Sequence, residues 1–135
     1  MTTLMSLEDV SAALESADAV EVMTASWEAF NMGERIADAA AFEEGFDELQ
    51  AAVAAQVCVR GQTLLPLPAD GAPVPLPGPP TASADACAVL LRTVHRSLSA
   101  LARTPEVPDE ARDSLARAAS LAEDGAACLS ALRTA

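Results

Sequence analysis

Residues 20–60 read VEVMTASWEAFNMGERIADAAAFEEGFDELQAAVAAQVCVR, and all four aromatic residues of the chain fall inside them: Trp27, Phe30, Phe42 and Phe46. No other part of the sequence offers side chains of that size, so this stretch sets the register of any core. Val20, Met23, Trp27 and Phe30 recur at helical spacing, as do Ile36, Ala37, Ala40 and Ala41 beyond Gly33. Phe42, Phe46, Leu49, Val53 and Val57 form a second apolar face, with Glu43, Glu44, Asp47 and Glu48 off it. Two helices with a reversal between Ala39 and Glu44 are expected. Met23, Trp27, Phe30, Phe42 and Phe46 are assigned to the core or to the lining of a pocket. Trp27 is expected to be largely buried against Phe30 and Phe46. Gly61 reads as a C-cap after Arg60.

Working outward, the N-terminal flank repeats the helical pattern. Ser6 is placed to cap a helix whose apolar face is Leu7, Val10, Leu14 and Ala17. The step from Ala17 to Val20 is one residue short. No Gly or Pro lies between Ser16 and Val20, which predicts a distorted but continuous helix. On the other side, residues 62–81 carry Pro at 66, 68, 73, 75, 77, 79 and 80, a density that excludes helix and central strand. Leu64, Leu65, Leu67, Val74 and Leu76 give this connector something to bury, so it is expected to dock on the helices. Thr81 or Ser83 then starts a helix with Cys87, Leu90, Leu91, Val94, Leu98 and Leu101 on one face, stopped by Thr104-Pro105. Pro108, Asp109 and Glu110 open a last helix with Ala111, Leu115, Ala118, Ala122, Gly125, Leu129 and Leu132 in line.

The composition agrees with helix. Half the chain is apolar, Ala dominates, and β-branched residues are few. The expected fold is all-α and resembles a four-helix bundle. Two helical hairpins, over 7–60 and 83–133, are joined by the Pro-rich crossover in one domain over 1–135; a separate first helix makes five. All eight basic residues are Arg and none is Lys, the coding bias of a GC-rich, actinobacterial type of bacterial genome.

The net charge is −12, with twelve acids and two Arg in residues 1–60 (−10) and eight acids and six Arg in 61–135 (−2). Such a surface repels nucleic-acid phosphates and anionic membranes. It keeps the chain soluble and suits a basic protein partner. No uncharged apolar run reaches the ~18 residues of a membrane span. The N-terminus turns acidic at Glu8 and Asp9, so no secretion signal is expected. Three Cys without a close-spaced framework point to reduced thiols and the cytoplasm.

Catalytic patterns are missing. The single His95 has no Glu three residues before it, against a ferritin-like centre. His95 and Cys87 are eight residues apart on one helix, about 12 Å of rise, too far for a nucleophile and its base. The pairs Glu34/Asp38 and Glu43/Asp47 read as solvated faces. Cys58, Cys87 and Cys128 lack a Cys-x-x-Cys and read as small core residues. Pro77–Pro80 fits a Pro-x-x-Pro pattern on its own. Trp27 precedes Gly33 by six residues, so the Trp-x-Gly turn of helical-hairpin secretion substrates is absent.

The reading is a non-enzymatic protein-protein interaction, regulatory or adaptor module without catalytic residues, cofactor or metal. Its partner is another protein, of basic character, or a second copy. A homodimer is expected to pair through the C-terminal hairpin with Leu121 or Leu129 near the contact. The alternative is a helical bundle binding a small apolar ligand or metal ion.

Overall fold

The structure, a computed structural model, describes residues 6–68 and 74–133. The chain is all-α: helices α1 (Leu7–Leu14), α2 (Ala19–Ala40), α3 (Glu48–Thr63), α4 (Ala84–Ala102) and α5 (Asp109–Ser130). A 3-10 turn, Pro80–Ser83, leads into α4. No strand occurs among the described residues.

The first helix is separate from the second, contrary to the continuity expected from residues 16–20. Side chains make the break without Gly or Pro. The Ser16 hydroxyl accepts from the Asp18 N–H at 3.0 Å, and the Asp18 carboxylate accepts from the Val20 N–H at 3.0 Å, capping α2. Such short polar residues offer the backbone a local alternative to the helix. Ser6 caps α1 by accepting from the Asp9 N–H at 3.2 Å.

α2 runs straight through Gly33 and buries Ala25, Ala29, Phe30, Met32, Ile36 and Ala37. Gly45, at φ 86°, turns the chain in the loop 41–47, where a side chain would be strained. Asp47 then caps α3 through the N–H groups of Leu49 (2.9 Å) and Gln50 (3.1 Å). The Asp47 N–H donates to the Leu132 carbonyl at 2.7 Å, and Phe46 pairs with Arg133, tying this loop to the chain beyond α5.

The helices touch in a closed ring: α2 on α3, α3 on α5, α5 on α4, α4 on α2, with α1 leaning on α2 and α4. α4 and α5 share the largest contact. Their faces follow the sequence pattern. Leu90, Leu91, Val94 and Leu98 of α4 and Leu115, Ala118, Ala122, Gly125 and Leu129 of α5 are buried.

α3 departs from its expected face. It buries Ala51, Ala54, Cys58 and Gly61, and leaves Leu49 74% and Val53 41% exposed. Gly61 does not end the helix, which continues to Thr63. Instead it lets Phe30 approach: a Cβ built on Gly61 would stand 2.5 Å from the Phe30 ring.

Of the connector expected over 62–81, Gln62 and Thr63 belong to α3, and residues 69–73 lie outside the described ones. On its described parts Leu65 and Val74 are buried, and Leu64 and Leu76 pack partly against the core. Leu67 is 79% exposed and does not dock. Val74 is held at both backbone groups. Its N–H donates to buried Glu28 at 3.4 Å, and its carbonyl accepts from Arg35 at 2.6 Å. Both side chains rise from α2 two turns apart.

Candidate functional site

Of the five residues expected as core or pocket, four lie in or against the core and Phe42 does not. Phe30 is fully buried beneath Gly61. Met23, Trp27 and Phe46 are partly buried and pack against the margin of the core. Phe42 is 92% exposed, because it falls in the turn after α2 rather than on a helical face.

Two of the three thiols, Cys58 and Cys87, come together in the interior. A Cβ on Gly33 would lie 2.7 Å from the Cys58 sulfur and 3.7 Å from that of Cys87; one on Gly125 would lie 3.7 Å from Cys58. Two glycines on facing helices thus make the space for Cys58. Burial raises the Cys58 thiol far above its ordinary 9.0, with Cys87, Glu34 and Cys128 adding in that order. Burial pushes Cys87 up to about 12, against a lowering by Arg35. Both are therefore protonated and unreactive at neutral pH. Cys128 is partly exposed, and burial followed by Asp124 raises it. No group of three or more His, Cys, Asp or Glu that could hold a metal occurs among the described residues.

Polar side chains are occupied in holding helices together. Gln62 donates to Glu34 at 2.9 Å and to the Cys58 carbonyl at 3.2 Å, and Arg35 donates to Asn31 at 3.0 Å. Asp38 is raised from 3.8, first by desolvation and then by Glu34. His95 bridges α4 to α5: its Nδ1 is 2.9 Å from the Ala119 carbonyl and so carries the hydrogen, and Nε2 is 3.8 Å from Glu123. The Gln62–Glu34 contact and both His95 contacts tie helices together, the others lie within one helix, and none pairs a nucleophile with a base.

What remains is the outer side of α3. In sixteen residues only Glu48 and Arg60 are charged. Leu49, Ala52, Val53, Gln56, Val59 and Arg60 face outward, all exposed. A helix that is apolar on both sides normally lies inside a structure. α3 runs antiparallel to α5, since Asp47 meets Leu132 at one end while Val57 and Cys58 lie by Gly125 further along. At its C-terminal end the two helices frame an open groove of about 620 Å³ lined by Arg60, Thr63, Leu64, Ala116, Arg117, Ser120 and Leu121. Among the described residues neither guanidinium has a side-chain hydrogen bond or an ion pair. Leu121 is half-buried at the rim of this groove, whereas Leu129 is 1% exposed and unavailable to a partner.

The sequence pattern missed this face because α3 carries two stripes of helical spacing. The larger residues, Leu49, Val53 and Val57, compete with Ala51, Ala54, Cys58 and Gly61, and size favoured the wrong one. The legible signal was the shortage of charge: a helix with two good apolar stripes leaves one outside.

No helix among the described residues is long and apolar enough to cross a membrane. No protein-family model, curated protein or solved structure matches the chain.

Proposed function

We propose that this protein is a non-enzymatic interaction module, a four-helix bundle with an added first helix and a Pro-rich crossover, whose working surface is the outer side of α3. The observation that carries this is the apolar side of α3 itself: Leu49 at 74% exposure and Val53 and Val59 at 41%, with Phe42 at 92% in the loop that precedes the helix. Several large apolar residues exposed on one side of a helix mark a contact for another macromolecule rather than a solvated flank. The net charge of −12 supports a protein partner over nucleic acid or anionic membrane. The unpaired thiols support a reducing, cytoplasmic setting. The alternative of a small apolar ligand draws on the groove beside Leu64 and Leu121. An open groove with two guanidinium groups at its edge suits an acidic protein segment better than an enclosed apolar ligand.

A photo-crosslinking amino acid at position 53, introduced in cells that make the protein, tests the reading. A discrete protein adduct is expected, and Leu49→Glu abolishes it. Absence of any protein adduct, with a small molecule retained by the purified chain in native mass spectrometry, overturns it in favour of the ligand reading.

A further inference from the structure

We infer that the partner of the α3 face is a second copy of this chain, docked antiparallel so that Phe42 of each copy enters the groove of the other. The inference rests on the interaction reading above and names its partner.

The two ends of α3 differ in chemistry. At its N-terminal end the loop presents Phe42, 92% exposed, followed by the exposed acids Glu43 and Glu44. Neither carboxylate has an ion pair among the described residues. At its C-terminal end lies the groove, with Leu64 and Leu121 for apolar contact and the unpaired Arg60 and Arg117. The first end is an aromatic knob with two negative charges, and the second is an apolar recess with two positive ones. A volume of about 620 Å³ is ample for a phenyl ring.

A knob and its hole on one molecule close into a dimer only if a two-fold axis relates them, since each contact is then made twice. The geometry of α3 allows this. Knob and groove lie about fifteen residues apart along the helix, roughly 22 Å at 1.5 Å per residue. The axis then falls midway, near Val53 and Gln56, where the outer side of α3 is uncharged. Val53 of each copy packs against the other across it, and Leu49 of each falls opposite Val59 and Arg60 of the other. The same arrangement offsets part of the repulsion between two chains at −12: Glu43 and Glu44 of each copy face Arg60 and Arg117 of the other. Leu121 enters the interface as the groove wall, and Leu129 does not.

Light scattering on the full chain after size exclusion reads the outcome. The wild type is expected at twice the 13.8 kDa of one chain. Phe42→Ala, at a position that contributes little to the fold, weakens the dimer about tenfold or more. The double variants Arg60→Glu/Arg117→Glu and Glu43→Arg/Glu44→Arg are each monomeric, because both of their contacts bring like charges together. Their equimolar mixture restores the dimer, because each contact in the mixed pair joins opposite charges. Circular dichroism on each variant separates lost pairing from lost folding. A wild type that stays monomeric at every concentration, a dimer indifferent to Phe42→Ala, a mixture of folded variants that remains monomeric, or growth beyond two copies each overturns the inference. A monomeric chain that still crosslinks through position 53 to a different protein overturns the second copy alone and leaves the interaction reading in place.

Discussion

α4 buries Leu90, Leu91, Val94 and Leu98, whereas α3 buries Ala51, Ala54, Cys58 and Gly61 and turns Leu49 and Val53 outward. Both helices carry large aliphatic residues at helical spacing, yet only one uses them for its own core. The difference lies in their neighbours. α3 faces the Phe30 ring and Gly33 on α2 and Gly125 on α5, with 2.5 Å from a Gly61 Cβ to that ring and 2.7 Å from a Gly33 Cβ to Cys58. At such close approach no Leu fits inward. Burying a Leu rather than exposing it is worth ~1.5–3 kcal/mol, and α3 forgoes this for the large residues on its outer side. A helix that leaves that stabilisation unused within its own chain has it available for a partner.

The largest effect that tests this contrast is alkaline unfolding. Cys58 is buried only if the small stripe of α3 faces in; a helix rotated to bury Leu49 and Val53 exposes it. The folded Cys87 thiol is raised from 9.0 to about 12 and that of Cys58 is also strongly raised, while in the unfolded chain both ionise near their ordinary value. Above pH 9 the unfolded state therefore binds fewer protons than the folded one. Stability is fully present below about pH 9 and falls as pH rises towards the folded values, by about 1.4 kcal/mol per pH unit for each thiol. The chain has no Lys and no Tyr, so no other side-chain type titrates in that window. Urea midpoints from pH 8 to 11 measure the slope. Cys58→Ala is expected to remove a large part of it, and an unchanged slope means that Cys58 is exposed.

Next in size, Leu91→Ala in α4 is expected to cost ~2–5 kcal/mol, the usual loss for a fully buried Leu. Gly61→Ala in α3 is expected to destabilise by ~1–3 kcal/mol despite the better helix propensity of Ala, because the Phe30 ring must shift. Urea denaturation at pH 7 reads both. A neutral or stabilising Gly61→Ala indicates that α3 does not press against Phe30.

Much of the fold is readable from residues alone, and the exceptions share a cause. The faces of α4 and α5 follow spacing, because each has one dominant apolar stripe against polar residues. The break before α2 was hidden because Ser16 and Asp18 make it through side-chain hydrogen bonds, with neither Gly nor Pro to signal it. Gly61 followed an Arg as a C-cap does, but its role is contact with Phe30, which depends on a helix thirty residues away. Phe42 shares the helical spacing of Phe46, Leu49 and Val53 and so reads as inward, although it sits between a helix end and two acids. The candidate site was legible as composition, in the charge-poor run from Leu49 to Val59, and not as a direction, because direction is set by the neighbours of α3.

The smallest expected effect is the most discriminating for the role of the outer face. Leu49 is 74% exposed, so Leu49→Gln removes little that the isolated chain uses, and Leu and Gln have similar helix propensities. In dilute solution the change in folding stability is expected to stay within ~0.5 kcal/mol. A loss of ~2 kcal/mol or more there shows that Leu49 is a core residue and that the small stripe of α3 faces out. Concentration then adds the second half of the measurement. A partner that binds only the folded chain raises apparent stability by mass action. The wild type is therefore expected to resist urea better as its concentration rises, and Leu49→Gln to lose that gain while keeping its dilute midpoint. A residue that costs nothing when the chain is alone and something when copies are crowded together belongs to an interface, which is what the outward turn of α3 implies.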